Sequence, residues 1–207
     1  MDPLNETGQN LRRLRPDTTP HKRIIAVMAV AMIVFASSTV AGAQANPPDE
    51  YELKAAFLFN FAKFIDWPSN SFASPQSSFT ICFLGQGPLG QVLDNKLQGK
   101  IVGDRHLAVQ RLKDRADARR CQMLFVSSSE SPHLPEILES VQGTNVLLVG
   151  ETNGFAASGG TIEFTLEDSH VRFTINTDAA DRAGLKFSSK LLALARIVHN
   201  EGHSKGG

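Results

Sequence analysis

Short apolar segments of strand length alternate with helix-length segments through the middle of the chain. The predicted strands are 79–84, 107–112, 121–126 and 145–149, and the predicted helices are about 88–97 and 135–141. Strands that alternate with helices form βα units, whose strands lie parallel in one sheet with helices against its faces. We therefore expect an α/β fold, a single domain with a mixed, mostly parallel central sheet flanked by helices.

The pattern changes toward the C-terminus. Residues 161–166 and 170–175 alternate apolar and polar side chains and are separated by three polar residues. This alternation is typical of an antiparallel β-hairpin with one face against the core. A long helix is predicted to follow from residue 177 or 178 to about 200, with Gly184 among the small residues that allow close packing.

The predicted domain begins with a helix that leaves one aromatic residue unexplained. Residues 51–67 contain no Gly or Pro, and Pro68 ends the helix. The apolar stripe at helical spacing consists of Leu53, Phe57, Leu58, Phe61, Phe64 and Ile65. Phe59 projects instead toward the polar side of the helix. Either another element covers Phe59 or its side chain contacts a partner protein.

The N-terminus has the three parts of a secretory signal peptide. Basic residues precede an apolar run at 24–36, and Ala43 or Ala45 completes an A-x-A cleavage site. The run is shorter than the roughly 20 residues that span a bilayer, although an uncleaved anchor is the alternative. The predicted division is a signal peptide over 1–45, a domain over 46–200 and a flexible C-terminal tail over 201–207. We expect an exported protein that is not inserted in the membrane after cleavage.

The charge balance excludes one class of partner. Removing residues 1–45 takes away five Lys or Arg and three Asp or Glu, which leaves 16 basic and 18 acidic side chains. A protein that binds nucleic acid would show an excess or a cluster of basic residues. We therefore expect no nucleic acid partner.

Motifs for catalysis or for a bound cofactor are weak. Residues 85–90 match G-x-G-x-x-G between a predicted strand and a helix, but Pro88 offers no N–H to a phosphate and an exported protein meets little NAD. A plain strand-to-helix turn is the favoured interpretation. His199 and His203 have metal-ligand spacing but lie near a glycine at the end of the chain. We predict a non-enzymatic protein without catalytic residues, metal or cofactor.

The chain has two cysteines, Cys82 and Cys121, each in or beside a predicted strand. In an exported protein an even number of cysteines favours a disulfide, and here only one intramolecular pairing exists. A bond between them would close a loop of about 40 residues and contribute roughly 4 kcal/mol in the chain-entropy model. Two buried free thiols are the alternative.

A glycine-rich loop at 150–160 precedes the predicted hairpin and carries an apolar tip at 155–157. Such a loop is either a turn that leads into the hairpin or a binding loop. Both interpretations remain open at this point.

Several sequence strings together resemble the YfiR-like family of periplasmic proteins. They are YELKAAF at 51–57, FIDWP at 64–68, VGE at 149–151, GF at 154–155, GG at 159–160, IEF at 162–164, RFTIN at 172–176, AGL at 183–185 and SSKLL at 188–192. The resemblance covers nearly the whole predicted domain, from about 51 to 198. Their order and spacing are more specific than the G-x-G-x-x-G match.

The resemblance implies a non-catalytic periplasmic regulator. Such a protein binds and restrains the sensor domain of an inner-membrane diguanylate cyclase, which lowers cyclic-di-GMP and limits biofilm formation. An outer-membrane lipoprotein is implied as a second partner, and the disulfide state is implied to matter for folding and control. The alternative is a soluble periplasmic protein that binds a small molecule near 85–90 or 150–160. A homodimer also remains open.

The chain departs from some family members at one place. These members carry a second cysteine pair around the glycine-rich loop and hairpin, where this chain has Phe155, Ala156, Ile162 and Glu163. A redox switch at that place is therefore excluded, and a structural role is expected for a Cys82–Cys121 bond. Phe59, Phe155 and Ala156 are predicted to contact the partner, as the out-of-pattern aromatic residue and the apolar loop tip.

Overall fold

The structure is a computed structural model that describes residues 49–199, so the predicted signal peptide (1–45) and tail (201–207) lie outside the described residues. The helices are α1 (Glu50–Phe64), α2 (Leu89–Leu97), α3 (Leu134–Ser140), α4 (Thr177–Arg182) and α5 (Ser189–Leu192). The strands are β1 (Ile65–Asp66), β2 (Phe79–Leu84), β3 (Ile101–Val102), β4 (Arg105–Leu112), β5 (Met123–Val126), β6 (Leu147–Gly150), β7 (Ile162–Glu167), β8 (His170–Asn176), β9 (Lys186–Phe187) and β10 (Arg196–Val198). Short 3-10 helices lie at Ser69–Ser71, Arg115–Arg120 and Ser128–His133.

Among the described residues, eight strands form the central sheet in the order β10-β8-β7-β6-β5-β2-β4-β3. The strands from β4 to β7 in this order are parallel to one another, and β10 is parallel to β8. Two pairs are antiparallel, the hairpin β7–β8 and the edge pair β3–β4. The predicted α/β domain with a mixed, mostly parallel sheet and a C-terminal hairpin is therefore confirmed.

The central strands are buried on both faces because successive side chains enter two different apolar layers. Ile81 and Phe83 of β2 lie in the layer that contains α1 and α2. Cys82 and Leu84 of the same strand lie in the layer that contains α3. Burial on both faces explains why the sequence shows these strands as continuous apolar runs rather than as alternating ones.

Aromatic rings join α1 to the C-terminal hairpin. The ring centroids of Phe57 and Phe173 are 5.3 Å apart, and those of Phe61 and Phe164 are 5.8 Å apart. Such offset and tilted pairs contribute about 0.5–1.5 kcal/mol each beyond the area they bury. Part of the apolar face of α1 is therefore covered by the C-terminal hairpin.

The prediction of a long C-terminal helix is wrong. Helix α4 ends at Arg182, and Gly184 follows it with a φ of 68°. The amides of Gly184 and Leu185 donate hydrogen bonds to the carbonyls of Asp181 and Ala180. This pattern is a Schellman motif, in which glycine takes the left-handed conformation that ends a helix. Gly184 therefore ends the helix, and β9, α5 and β10 follow it.

Helix α1 is also shorter than predicted. It ends at Phe64, because Ile65 and Asp66 form β1 and pair with β9 in antiparallel register. Phe64 was expected in the buried stripe but is 43% exposed. The other members of that stripe pack in or against the core.

Candidate functional site

The disulfide between Cys82 and Cys121 is confirmed, and free thiols are therefore excluded. The bond links β2 to the residue two positions before β5, which is the neighbouring strand of the sheet. Both cysteines are buried in the layer that contains α3. The sulfur atoms are shielded from solvent in the folded protein, which agrees with the structural role expected for this bond.

The G-x-G-x-x-G turn at 85–90 lies where α/β proteins often bind ligands. In the sheet, β2 and β5 are neighbours, β4 lies beyond β2 on one side, and β6 lies beyond β5 on the other. The chain therefore continues in opposite directions after β2 and after β5, so the carboxyl ends of these two strands form a topological switch point. Ser127 Oγ donates a hydrogen bond to the Gln86 carbonyl, and the Gln86 amide donates to Ser129 Oγ at 2.9 Å. These bonds join the two loops across the switch point, which favours a plain strand-to-helix turn over a phosphate site.

The prediction that Phe155 and Ala156 form an accessible tip of the glycine-rich loop is wrong, because each is only 1% exposed. The Phe155 ring lies in the layer that contains α3 and contacts two glycines. A Cβ on Gly150 would lie 2.5 Å from the ring, and one on Gly160 would lie closer still. Only Ala157 of the predicted tip is exposed. The buried side chains of Phe155 and Ala156 are not placed to touch a partner.

Two buried polar side chains fix this loop to the hairpin. The Glu163 carboxylate accepts hydrogen bonds from the Gly154 amide at 3.0 Å and the Ala156 amide at 2.9 Å. The Asn176 side-chain amide donates to the Ala156 carbonyl at 2.7 Å, and its oxygen accepts from the Ala179 amide at the start of α4. A buried carboxylate needs such donors to offset its desolvation. The loop is thus an integral part of the core.

An apolar groove of about 360 Å³ lies between α1 and α2. We call it the Phe59 groove, and its lining residues are Glu52, Leu53, Ala55, Ala56, Phe59, Asn60, Lys96, Leu97 and Lys100. Phe59 is half-buried and packs in part against the core, while the rest of its surface faces the groove. Of the three residues predicted to contact a partner, Phe59 is thus the only one that the structure places at an accessible surface.

Two lysine side chains lie close to the aromatic ring in this groove. The ammonium nitrogens of Lys63 and Lys100 lie 5.4 Å and 5.1 Å from the centroid of the Phe59 ring. Lys96 forms an ion pair with Glu52 at 2.9 Å on the same rim. The groove therefore combines an apolar floor with a positively charged border.

A second depression of about 590 Å³ lies at the carboxyl ends of β5, β6 and β7, beside the first turn of α1. We call it the carboxyl-edge cleft, and the residues that matter for its charge are Glu50, Lys54, Glu151, Glu167 and Arg196. Lys54 Nζ lies 2.6 Å from Glu50 Oε1 and 2.8 Å from Glu151 Oε2. Arg196 pairs with Glu167 at 3.2 Å. The charges in the cleft are therefore largely compensated within the protein.

Lys54 lies beside the apolar stripe near the start of the helix, and from the sequence its side chain is expected to reach water. That prediction is wrong, because the side chain is buried between two carboxylates. Its side chain is only 6% exposed. Burial lowers the pKa of Lys54, but hydrogen bonds to Glu151 and Glu50 outweigh that effect and raise the pKa above 10.5. Burial and the nearby Glu151 carboxylate also raise the pKa of Tyr51. The ion pair between Lys54 and Glu151 thus links the N-terminal part of α1 to the residue that follows β6.

Replacing Lys54 with methionine is expected to lower the free energy of unfolding at pH 8 by about 1–3 kcal/mol, because Glu151 then loses its charged partner. The raised pKa means that the stabilisation by Lys54 is complete below pH 10.5 and is lost as the pH rises through the folded-state value. Urea unfolding at several pH values should therefore show the difference between wild type and Lys54→Met shrinking as the pH rises above 10.5. A constant difference would contradict the assignment.

Within the range 49–199, no helix is long and apolar enough to cross a bilayer. In the same part of the chain, no three His, Cys, Asp or Glu side chains cluster closely enough to bind a metal ion.

Two solved structures align with the chain at 10% identity. One is the ABC domain in complex with L-Trp from Streptococcus pneumonia, with a TM-score of 0.49 over 70% of this chain and 60% of that one. The other is a conserved domain protein from Vibrio cholerae O1 biovar El Tor, with a TM-score of 0.48 over 72% of this chain and 60% of that one. The chain thus spans about 60% of the length of each, and similarity at this level carries no ligand or activity over to it.

No curated protein matches the chain significantly. A family model does match, over residues 51–196, and its description is YfiR/HmsC-like. The matched span includes all of α1 except Glu50, both cysteines, the glycine-rich loop and the hairpin, which form most of the core. This chain therefore belongs to the YfiR/HmsC-like family.

Proposed function

We propose that this protein binds the periplasmic sensor domain of an inner-membrane diguanylate cyclase and restrains the enzyme, which lowers cyclic-di-GMP and limits biofilm formation. Family membership supports this proposal, because YfiR/HmsC-like proteins are periplasmic and regulatory rather than catalytic. Export through the signal peptide at 1–45 and a second, outer-membrane lipoprotein partner belong to the same proposal.

The observation that carries the proposal is the Phe59 groove. A half-buried aromatic ring in an apolar groove with a charged rim resembles the centre of a protein–protein interface, where aromatic anchors contribute most of the binding energy. Neither Phe155 nor Ala156 is part of this surface, since both are buried. We therefore propose Phe59 as the principal anchor.

Restraint follows if the protein binds the inactive conformation of the sensor domain more tightly than the active one. A ligand shifts a conformational equilibrium only by its difference in affinity for the two states. A 100-fold preference corresponds to about 2.7 kcal/mol. An aromatic hot spot, whose truncation costs about 2 kcal/mol or more, supplies most of that difference if it contacts only the inactive conformation.

Deleting the gene in its host is expected to raise intracellular cyclic-di-GMP several-fold, and restoring the wild-type gene should reverse the rise. The Phe59→Asp variant should not reverse it, because a carboxylate in the apolar groove cannot replace the ring. Leu194→Asp is the matched control, since Leu194 is 72% exposed and is not part of the groove. This control should restore the wild-type level.

Circular dichroism must show that both variants are folded. The rise should also disappear when the candidate cyclase is removed. No change on deletion, under conditions in which both proteins are expressed, would overturn the proposed function. Full restoration by folded Phe59→Asp would overturn only the choice of anchor.

The carboxyl-edge cleft supports a second candidate function, the binding of a small periplasmic molecule. α/β proteins often bind ligands outside the carboxyl ends of their strands. A ligand would raise the melting temperature by mass action on the folded state. Lys54 and Arg196 already form ion pairs within the protein, so a charged ligand would have to compete with Glu50, Glu151 and Glu167 for them. For this reason we favour the protein-binding function.

A further inference from the structure

The two lysines at the Phe59 ring have an unusual electrostatic environment. Within residues 49–199, neither Lys63 nor Lys100 forms an ion pair, and both contact the face of the same ring. Cation–π contacts at exposed sites are worth only about 0.5–1 kcal/mol each. They position the two ammonium groups beside the ring without neutralising them, so two positive charges that form no ion pair within these residues lie next to Phe59.

The remaining charges of the groove do not change this balance. Lys96 and Glu52 form an ion pair in which both side chains are about half exposed. Such pairs contribute at most about 1 kcal/mol, so Lys96 can exchange Glu52 for another carboxylate at little cost. The rim thus has three ammonium groups and one carboxylate around an apolar floor.

From the apolar floor and the positively charged rim we infer that the Phe59 groove binds an acidic amphipathic segment of its protein partner. One apolar side chain of the segment packs on Phe59, and carboxylates on both sides of it bind Lys63 and Lys100. Opposite charges around an apolar anchor would speed association and select against basic segments. The inference rests on the proposed function for the identity of the partner, but the chemistry of the segment is testable without that partner.

The test uses the purified full chain and a displayed library of random 16-residue peptides. We expect the selected peptides to carry several Asp or Glu residues around one aromatic or aliphatic residue. A synthetic copy of a selected peptide, measured by fluorescence anisotropy, should bind at least 10-fold more weakly to Lys63→Glu/Lys100→Glu. Its affinity should also fall as the salt concentration rises.

The matched control is Lys113→Glu/Arg172→Glu, which reverses two exposed charges on residues that do not line the groove. This variant should bind the peptide as the wild type does. The inference would be overturned if the selected peptides were neutral or basic, or if no peptide were selected. It would also be overturned if the acidic peptide bound wild type and Lys63→Glu/Lys100→Glu equally.

Two other occupants of the groove would also overturn it. Binding to phosphatidylcholine vesicles that contain one fifth phosphatidylglycerol, lost in Lys63→Glu/Lys100→Glu without any peptide binding, would identify a lipid surface. A concentration-dependent dimer lost in the same variant would identify a second copy of the chain.

The purified sensor domain separates this inference from the proposed function. If the sensor domain binds wild type and Lys63→Glu/Lys100→Glu equally, the function stands and the inference fails. If the acidic peptide binds and the sensor domain does not, the chemistry of the groove stands and the proposed function fails.

Discussion

Phe155→Ala is expected to lower the free energy of unfolding by about 3–5 kcal/mol, the usual cost of removing a buried phenyl ring. The ring is 1% exposed and lies between Gly150 and Gly160. The surrounding loop cannot collapse into the cavity, because Glu163 and Asn176 fix its backbone. Urea denaturation followed by circular dichroism measures the loss.

Phe64→Ala is the matched control, because it removes the same atoms from a ring that is 43% exposed. Its expected cost is at most about 1.5 kcal/mol, since much of the ring already contacts water. Equal losses in the two variants would show that Phe155 is not packed inside the core. The same result would return the loop tip to the set of candidate partner contacts.

Removing the disulfide with Cys82→Ala/Cys121→Ala is expected to lower the free energy of unfolding by about 4 kcal/mol. The two cysteines are 39 residues apart, and cross-linking a loop of that length restricts the unfolded chain by about this amount in the chain-entropy model. Denaturant unfolding of the oxidised wild type and of the double variant measures the difference.

Reductant supplies an independent control for this prediction. Added during unfolding, it should bring the wild type close to the double variant and leave the double variant unchanged. Added to the folded protein, it should react slowly, because both cysteines are buried. Equal stability of the oxidised wild type and the double variant would show that the bond does not constrain the chain.

The sheet could be predicted from the sequence because its strongest signals are local. Strands such as β2 and β5 are buried on both faces, so they stand out as apolar runs between polar turns. The cysteine pairing was favoured for a similar reason, since two cysteines beside neighbouring strands allow one intramolecular bond. Phe59 also stood out locally, as an aromatic residue outside the helical stripe.

The errors concern residues whose roles depend on distant contacts. An apolar loop tip has the same local pattern whether it faces solvent or the core, and only the space beside Gly150 and Gly160 determines where Phe155 lies. Gly184 fits either close helix packing or helix termination. Its backbone conformation decides between them, and that conformation is set by the hydrogen bonds at the end of α4. The Lys54–Glu151 pair joins residues 97 positions apart and has no local signature.

The aromatic contacts between α1 and the hairpin also determine the order in which a nascent chain can fold. Phe57 and Phe61 emerge from the ribosome more than 100 residues before Phe173 and Phe164, respectively. At about 5–20 residues per second, the apolar face of α1 waits roughly 5–20 s for the rings that cover it. Throughout this interval part of the apolar face of α1 is uncovered, so we expect newly made chains to be most prone to aggregate until the last strands are complete.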